Sequence, residues 1–326
     1  MLRTAPLGPA DLGEDLEKKL LRPRGGAGLL APIARFDPTA RPVVLVHGIK
    51  GHPGELRPLA EHLLLSPRRL QPYAFVYDDL GRWLDRSGDD LARGLAELAC
   101  HHPRPALALV AHSMGGIVAR CALNSMTDPT WLPAPRRKGR GPRLDAACVA
   151  DFAAIDLLAV DTPWSGFASP RIDLRALWIR ERSWVDMVAG SDVLTHLGAP
   201  ALPAHVAIHH VEADQLAAGA RPDRIRTLGD LDDGELERLR RAILGEPAAL
   251  GDDLRLRNLF AALADAAGFA ALAGEVRARA RGPAELRAAL LRAVPRLAGS
   301  HTSVLRNTAL FPLVDRLLAA RDPAAA

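Results

Sequence analysis

The sequence contains few cysteines and few aromatic residues. Its 326 residues include three cysteines, Cys100, Cys121 and Cys148, and aromatic side chains make up 4% of the chain. An odd number of widely spaced cysteines fits neither a disulfide framework nor a CxxC metal site, so we expect all three to be small, buried and reduced. The low aromatic content disfavours an RNA-stacking module.

Long apolar runs and a strong charge imbalance are also absent. No run of about 20 apolar residues is present, so the sequence predicts no membrane span. The apolar run around 29–33 is too short for the core of a signal peptide, and we therefore expect a cytoplasmic protein. A formal net charge of +4 with 48% hydrophobic residues excludes a disordered chain and gives little reason to expect a nucleic-acid partner.

The sequence does contain a regular alternation of apolar strand patterns and amphipathic helix patterns between about 41 and 215. Such alternation predicts an α/β fold with a mainly parallel sheet covered by helices on both faces. The predicted strands are Pro42–Val46, Tyr73–Tyr77, Ala106–Val110, Ile155–Val160 and His205–Val211, and the predicted helices are Glu55–Leu65, Gly88–Ala99 and Ile117–Leu123.

We divide the chain into an N-terminal arm (1–40) and one α/β domain (41–326). Insertions are predicted at about 124–150 and 220–292, the second of them helical in pattern, and the segment at about 165–200 is interpreted as a lid. The basic run within 136–143 allows two interpretations, a contact with anionic lipid head groups or a solvated loop.

The strongest motif is the turn His112-Ser113-Met114-Gly115-Gly116, which follows a predicted buried strand and precedes a predicted helix. A nucleophile elbow needs small residues on both sides of the serine, and Ala111 and Gly115 supply them, although Gly is usual where Ala111 stands. The turn places Ser113 at a helix N-terminus, where free amides favour a developing oxyanion. An inert serine in a glycine-rich turn is the alternative, and the strand–turn–helix context favours a nucleophile.

A second turn, His47-Gly48-Ile49-Lys50-Gly51, follows the first strong strand. In an esterase this turn supplies one backbone amide of the oxyanion hole, here that of Ile49. The amide after the nucleophile, that of Met114, supplies the other. We interpret His47 as a structural turn residue rather than a base.

Together with the segment 161–166, these motifs resemble the α/β-hydrolase lipases and esterases. The likeness extends to the branch that includes the class 2 lipases and the inositol-deacylase-like proteins, through the segment 184–194 and Leu202-Pro203. The turn Gly299-Ser300-His301 resembles the catalytic histidine turn of that branch. The resemblance covers about 41–215 and 295–320, and it implies a serine hydrolase with a helical cap.

A serine nucleophile needs a base and an orienting carboxylate, which in this fold follow in the order serine, acid, histidine. We assign the base to His301, which precedes an apolar C-terminal helix pattern. Asp214, after the strand 205–211, is the first candidate for the acid, and Asp161, after the preceding strand, is the alternative. The remaining downstream candidates are the histidines His196, His205, His209 and His210 and the acids Asp230, Asp232 and Asp233.

Several large apolar residues lie close together between the two candidate acids. They suit a lid or an acyl pocket over Ser113, and the packing of a small helical cap is an interpretation compatible with both. These residues are Trp164, Phe167, Trp178, Trp184 and Met187.

The sequence therefore predicts a carboxylic ester hydrolase that acts on lipid or lipid-like acyl esters through Ser113, His301 and Asp214. Acyl transfer by the same triad and a non-catalytic binding protein of the same fold are the alternatives. No cofactor and no metal are expected, because neither CxxC nor HExxH spacing accompanies the pairs His101-His102 and His209-His210. The expected partner is an ester substrate, with at most transient contact to a lipid surface.

Overall fold

A seven-stranded sheet forms the centre of the protein. The computed structural model describes residues 2, 6–9, 12, 26–102, 106–137, 151–164, 166, 181–214, 231–264, 268–298, 300–301 and 303–320. The strands are β1 (Leu29–Pro32), β2 (Arg41–Val46), β3 (Leu70–Val76), β4 (Ala106–His112), β5 (Ala154–Val160), β6 (Val206–Asp214) and β7 (Arg296–Ala298).

The strand order is β1-β3-β2-β4-β5-β6-β7, and every neighbouring pair is parallel except β1 with β3. Parallel strands need crossover connections, which the helices between them supply. The arrangement is that of an α/β hydrolase, which confirms the fold predicted from the sequence. The carboxyl ends of β2, β4 and β5 lie side by side, so the turns that follow them meet at one edge of the sheet.

Eleven α-helices are present over the described ranges. They are α1 (Arg57–Leu65), α2 (Leu84–His101), α3 (Met114–Thr127), α4 (Ala134–Arg137), α5 (Arg182–Asp186), α6 (Asp192–His196), α7 (Asp233–Ile243), α8 (Leu254–Ala264), α9 (Phe269–Arg279), α10 (Pro283–Ala293) and α11 (Leu310–Ala320). Within the same ranges, no helix combines the length and the apolar character that a membrane crossing needs.

Each face of the sheet carries its own hydrophobic core, because successive side chains of a strand point to opposite faces. Along β4, Leu107 and Leu109 join the cluster formed with α2 and α3, whereas Ala108 and Val110 join the cluster formed with α1 and α11. Every residue of β4 is buried. This explains why the strand reads as a continuous apolar run and why it occupies the middle of the sheet.

The helices α7 to α10 lie between β6 and β7 in the chain and share a third core of their own, which includes Leu236, Leu272 and Leu290. This agrees with the helical pattern of the predicted insertion at 220–292, of which residues 231–264 and 268–292 are described. In the sequence, β7 and the turn after it therefore come many residues after the other strands, because the insertion lies between β6 and β7.

Three features differ from the sequence predictions. Strand β1 lies inside the segment 1–40 that was assigned to an arm, and it pairs with β3. Strand β7, which is not among the strands predicted from the sequence, begins directly after Pro295. Cys121 is buried as predicted, but Cys100 is exposed, because it lies in the last turn of α2, and Cys148 lies outside the described residues.

The contact between α2 and α3 depends on Gly88. A methyl group at this position would overlap the Cβ of Cys121 and lie 3.0 Å from the amide nitrogen of Ala122. We therefore expect Gly88→Ala to lower the free energy of unfolding by about 1–3 kcal/mol, because the two helices would have to separate. Urea denaturation measures the change.

The matched control is Gly274→Ala in α9, where nothing lies within 4 Å of the added methyl group. Here only the helix propensity changes, so we expect a gain of about 0.5–1 kcal/mol. Effects of the same sign at Gly88 and Gly274 would contradict the packing argument.

Candidate active site

Ser113 occupies a sharp turn between β4 and α3. Its φ and ψ are 55° and −129°, outside the regions that most L-residues adopt. The backbone around it is held in place, since the Ser113 amide donates to the carbonyl oxygen of Val160 at 2.9 Å. A Cβ at Gly115 would lie 2.5 Å from the carbonyl oxygen of His47, which explains why a residue without a side chain stands there.

Three side chains from distant parts of the chain form one hydrogen-bonded series at this turn. His301 Nε2 lies 2.6 Å from Ser113 Oγ, and His301 Nδ1 lies 2.6 Å from Asp161 Oδ2. A carboxylate accepts hydrogen bonds and does not donate them, so the proton of a neutral His301 lies on Nδ1. Nε2 is then free to accept the serine proton, which is the arrangement of a nucleophile, a base and an orienting carboxylate.

The carboxylate of Asp161 is fixed from both sides. Asp161 is the first residue after β5, is 3% exposed and has a φ of 49°. Its amide donates to the carbonyl oxygen of Val211 at 2.7 Å, and its Oδ1 accepts from the amide of Ala213 at 3.0 Å. Oδ1 is therefore occupied by the backbone of β6, while Oδ2 faces His301.

The structure does not bring Asp214, the first candidate for the acid, to His301. Asp214 ends β6 and pairs instead with Arg296 on β7, at 3.4 Å. Of the other acids considered, Asp232 caps the N-terminus of α7 and accepts from the amide of Glu235. Asp233 begins that helix, and Asp230 lies outside the described residues. The acid that contacts His301 is thus the alternative named from the sequence.

The turn after β2 lies against Ser113. A Cβ at Gly48 would come within 2.8 Å of the Ser113 Cβ, so the turn reaches Ser113 only because residue 48 is glycine. Ile49 follows and packs partly buried against the core, and Lys50 has a φ of 52°. Met114 begins α3 directly after Ser113. Both amides predicted to bind the oxyanion therefore belong to backbone next to Ser113.

Two buried histidines stand beside the series. His47 is fully buried, stacks on Tyr77 with ring centroids 4.5 Å apart, and lies with Nδ1 3.0 Å from the carbonyl oxygen of Gly48. Burial lowers the pKa of His47 to about 4, and burial together with the nearby His301 lowers the pKa of His112 to about 4. Both rings are uncharged at neutral pH, which suits the structural role predicted for His47.

The remaining downstream histidines lie elsewhere. His209 contacts Asp156 at 3.2 Å, and His210 Nδ1 accepts from the indole of Trp164 at 3.2 Å. His196 lies in the last turn of α6, and His205 immediately precedes β6. Over the described part of the chain, no group of three or more His, Cys, Asp or Glu side chains is placed to hold a metal ion.

The apolar residues predicted for a lid or pocket occupy different surroundings. Trp164 and Met187 are buried members of the core that α2 and α3 share. Trp184 on α5 is partly exposed, and the Lys50 ammonium lies 5.2 Å from the centre of its ring. Phe167 and Trp178 lie outside the described residues. The segment 181–197 thus packs as a small helical cap and reaches the turn after β2 through Trp184.

Arg136 fixes this cap to the sheet domain. Its guanidinium donates to Asp85 at 2.9 Å and to Asp186 at 2.7 Å, and it lies 4.7 Å from the ring centre of Trp83. Burial is the main cause that raises the pKa of Asp186 to about 7. Arg136 is therefore held by contacts within the protein, and it is the one residue of the basic run whose side chain the described ranges include. Residues 138–143 lie outside the described residues.

Sequence reasoning gave no role to two residues near the series. His112 contacts the loop of His301, and its position directly before the nucleophile was the available signal. Glu55 follows the turn after β2 within a 3-10 helix (Pro53–Leu56). Burial raises the pKa of Glu55, and the charges of His52, His301 and Arg306 oppose that shift. No spacing rule pointed to Glu55.

One protein-family model matches part of the chain. Residues 39–199 match the model of the family described as "Putative serine esterase (DUF676)". The matched segment contains Ser113 and Asp161 and ends before Asp214 and His301. It confirms the resemblance to serine esterases that the motifs indicated. No curated protein sequence matches the chain.

Three solved structures illustrate what the chain is similar to. The mature lipase BlEst2 of Bacillus licheniformis is 16% identical, with 89% of this chain and 97% of that chain covered and a TM-score of 0.46. A carboxylesterase structure from Nitrososphaera gargenis is 14% identical, with 92% and 97% covered and a TM-score of 0.41. The phospholipase PlaB of Legionella pneumophila is 14% identical, with 60% and 44% covered and a TM-score of 0.37.

Proposed function

Because residues 39–199 match the model of the family described as "Putative serine esterase (DUF676)", we propose that this protein hydrolyses carboxylic esters with Ser113 as the nucleophile. The observation that carries the proposal is the series Ser113–His301–Asp161, with both hydrogen bonds at 2.6 Å. A serine without a catalytic role would not be expected to contact a histidine whose other ring nitrogen is hydrogen-bonded to a buried carboxylate.

The proposed reaction proceeds through an acyl-enzyme. Ser113 Oγ attacks the ester carbonyl carbon while His301 Nε2 takes the hydroxyl proton, and Asp161 stabilises the imidazolium that results. The amides of Ile49 and Met114 donate to the oxyanion of the tetrahedral intermediate. His301 returns the proton to the leaving alcohol. Water then attacks the acyl-enzyme with His301 again as the base, which releases the acid and restores the Ser113 hydroxyl.

The proposed substrates are lipid or lipid-like acyl esters. The sequence resembles the class 2 lipase and inositol-deacylase-like branch, and this resemblance supports a lipid character of the substrate. Lipid specificity stays a prediction. Among p-nitrophenyl esters from acetate to palmitate, we therefore expect kcat/KM to rise with acyl length.

A fluorophosphonate probe combined with the p-nitrophenyl ester series tests the proposal. We expect the wild-type protein to be labelled on Ser113 and to hydrolyse esters, and Ser113→Ala to do neither, because the attacking oxygen is gone. Ser66→Ala is the control, since Ser66 caps the far end of α1 and lies outside the site.

Three outcomes would contradict the proposal. Hydrolysis that survives in Ser113→Ala would show that another group performs the chemistry. Labelling of Ser113 without hydrolysis of any ester would favour acyl transfer to a specific acceptor, and absence of both would favour a non-catalytic binding protein.

A further inference from the structure

The histidine beside the nucleophile contacts the loop that carries the base. His112 is the last residue of β4 and is 2% exposed. Its Nε2 lies 2.7 Å from the main-chain oxygen of His301. A carbonyl oxygen only accepts hydrogen bonds, so Nε2 of His112 carries a hydrogen and donates it. This contact fixes the tautomer of a residue that the reaction itself does not use.

Resting on the proposed esterase function, we infer that His112 is a positioning residue for the base. Its Nε2–H holds the backbone of His301, and this keeps the His301 imidazole within reach of the Ser113 hydroxyl. Since His112 and Ser113 are adjacent, the nucleophile and the base are held by neighbouring residues of one rigid strand end. The separation between them is then set by β4 rather than by the base loop.

Apart from the side-chain bonds of His301 to Asp161 and Ser113, the other bonds that fix the described residues of the base loop are local. Ser300 donates its amide to Ser303 Oγ at 2.7 Å, and Asn307 donates its side-chain amide to the carbonyl oxygen of Ala298 at 2.7 Å. These bonds shape the loop from within. The strand before the loop, β7, has three residues and pairs with the end of β6. Neither feature fixes the distance from the loop to β4.

His112 performs this role without adding charge beside the base. The rings of His112 and His301 have centroids 4.9 Å apart. His301 becomes positively charged when it takes the serine proton, and a second positive charge at that distance would oppose the transfer. Burial and the neighbouring His301 lower the pKa of His112 to about 4, so the ring stays neutral. Its Nδ1 is buried with no acceptor in reach, which agrees with the ring hydrogen lying on Nε2.

Two substitutions of equal length separate the hydrogen bond from the packing. In His112→Gln the side-chain nitrogen sits as many bonds from Cβ as Nε2 does in histidine and can donate to the same carbonyl oxygen. His112→Met has a similar reach and volume but no N–H. His112→Asn carries the same amide as Gln one bond shorter, and it replaces the Met variant if that variant does not fold.

The readout is kcat per active site, with active sites counted by fluorophosphonate titration. This normalisation removes the inactive fraction that a merely structural defect would produce. We expect His112→Met to lower kcat per titrated site about tenfold or more with KM unchanged, since a displacement of the base by about 1 Å can cost up to 10²-fold. We expect His112→Gln to stay within about threefold of the wild type.

Equal kcat per titrated site in the wild type and in the donor-less variant would overturn the inference, and so would an equal loss in His112→Gln and His112→Met. These outcomes differ from a failure of the proposed function. If that function is wrong, the wild-type protein itself shows neither Ser113 labelling nor ester turnover. If only the inference is wrong, the wild type is still labelled on Ser113 and hydrolyses esters, and the Gln and Met variants behave like each other.

Discussion

Asp161→Asn is expected to lower kcat by about 10⁴-fold, the size of effect that this exchange has in a serine protease triad. The asparagine oxygen would keep the bond from the amide of Ala213, so the side-chain NH₂ would face His301 Nδ1. Nδ1 would then have to accept, and the ring proton would move to Nε2. In that tautomer His301 cannot take the proton of Ser113. The measurement is kcat on a p-nitrophenyl ester.

Asp214→Asn is the matched control, because it removes the same charge from a carboxylate at the same edge of the sheet. Asp214 faces Arg296 and both side chains are 25% exposed, so the pair contributes little to stability. We expect its kcat to stay within about threefold of the wild type. A large loss in Asp214→Asn together with near-normal activity in Asp161→Asn would contradict the assignment of the acid.

The second large effect concerns stability in acid. The pKa of His47 falls from 6.5 to about 4 on folding because the ring is buried. A depressed histidine pKa means that the unfolded chain binds the proton more tightly, so this contribution to stability is complete above pH 6.5 and is lost as the pH falls towards 4. A shift of this size corresponds to about 3 kcal/mol. His112 adds a contribution of the same sign.

The change of the unfolding free energy with pH, compared between the wild type and His47→Asn, isolates the effect of His47. We expect His47→Asn, which keeps a donor for the Gly48 carbonyl oxygen, to lose about 2–3 kcal/mol of the wild-type decrease in unfolding free energy between pH 7 and 4.5. Asp186 acts in the opposite direction, because a raised carboxyl pKa adds stability as the pH falls from about 7. That contribution is present in both proteins and cancels.

Urea denaturation at several pH values measures these slopes. The control is His196→Gln, which removes a partly exposed histidine from α6 and is expected to keep the wild-type slope. A wild-type slope in His47→Asn would contradict the assignment of acid sensitivity to this buried ring.

The proposed nucleophile could be identified from the sequence because its geometry is local. A buried strand, a turn with small residues around Ser113 and a following helix all lie within one short segment, and β4 and α3 bear them out. His301 could also be identified from the sequence, since it follows the helical insertion and precedes the apolar pattern of α11. The structure places both where the sequence predicted them relative to their elements.

The proposed acid could not be identified in this way, because the choice between the two candidates depends on where each strand ends and on which strand it pairs with. Asp161 and Asp214 each follow an apolar strand pattern, and parallel strands end at the same edge of the sheet. The structure separates them because β5 ends directly before Asp161, whereas β6 continues to Asp214 and pairs there with β7. The pairing of β6 with β7 could not be predicted from the sequence, since β7 has three residues and begins after Pro295.

The turns at the edge of the sheet also set a limit on how stable this protein can become while it retains its site. Within the described ranges, the non-glycine residues with positive φ are Lys50, Ser113 and Asp161, which follow β2, β4 and β5. Each such conformation costs of order 1–3 kcal/mol, so together they approach the net stability of a typical domain, about 5–15 kcal/mol. Glycine would relieve the cost at each position, but at two of them it would remove the proposed nucleophile or the proposed acid. Selection for stability and selection for chemistry therefore oppose each other at the same residues.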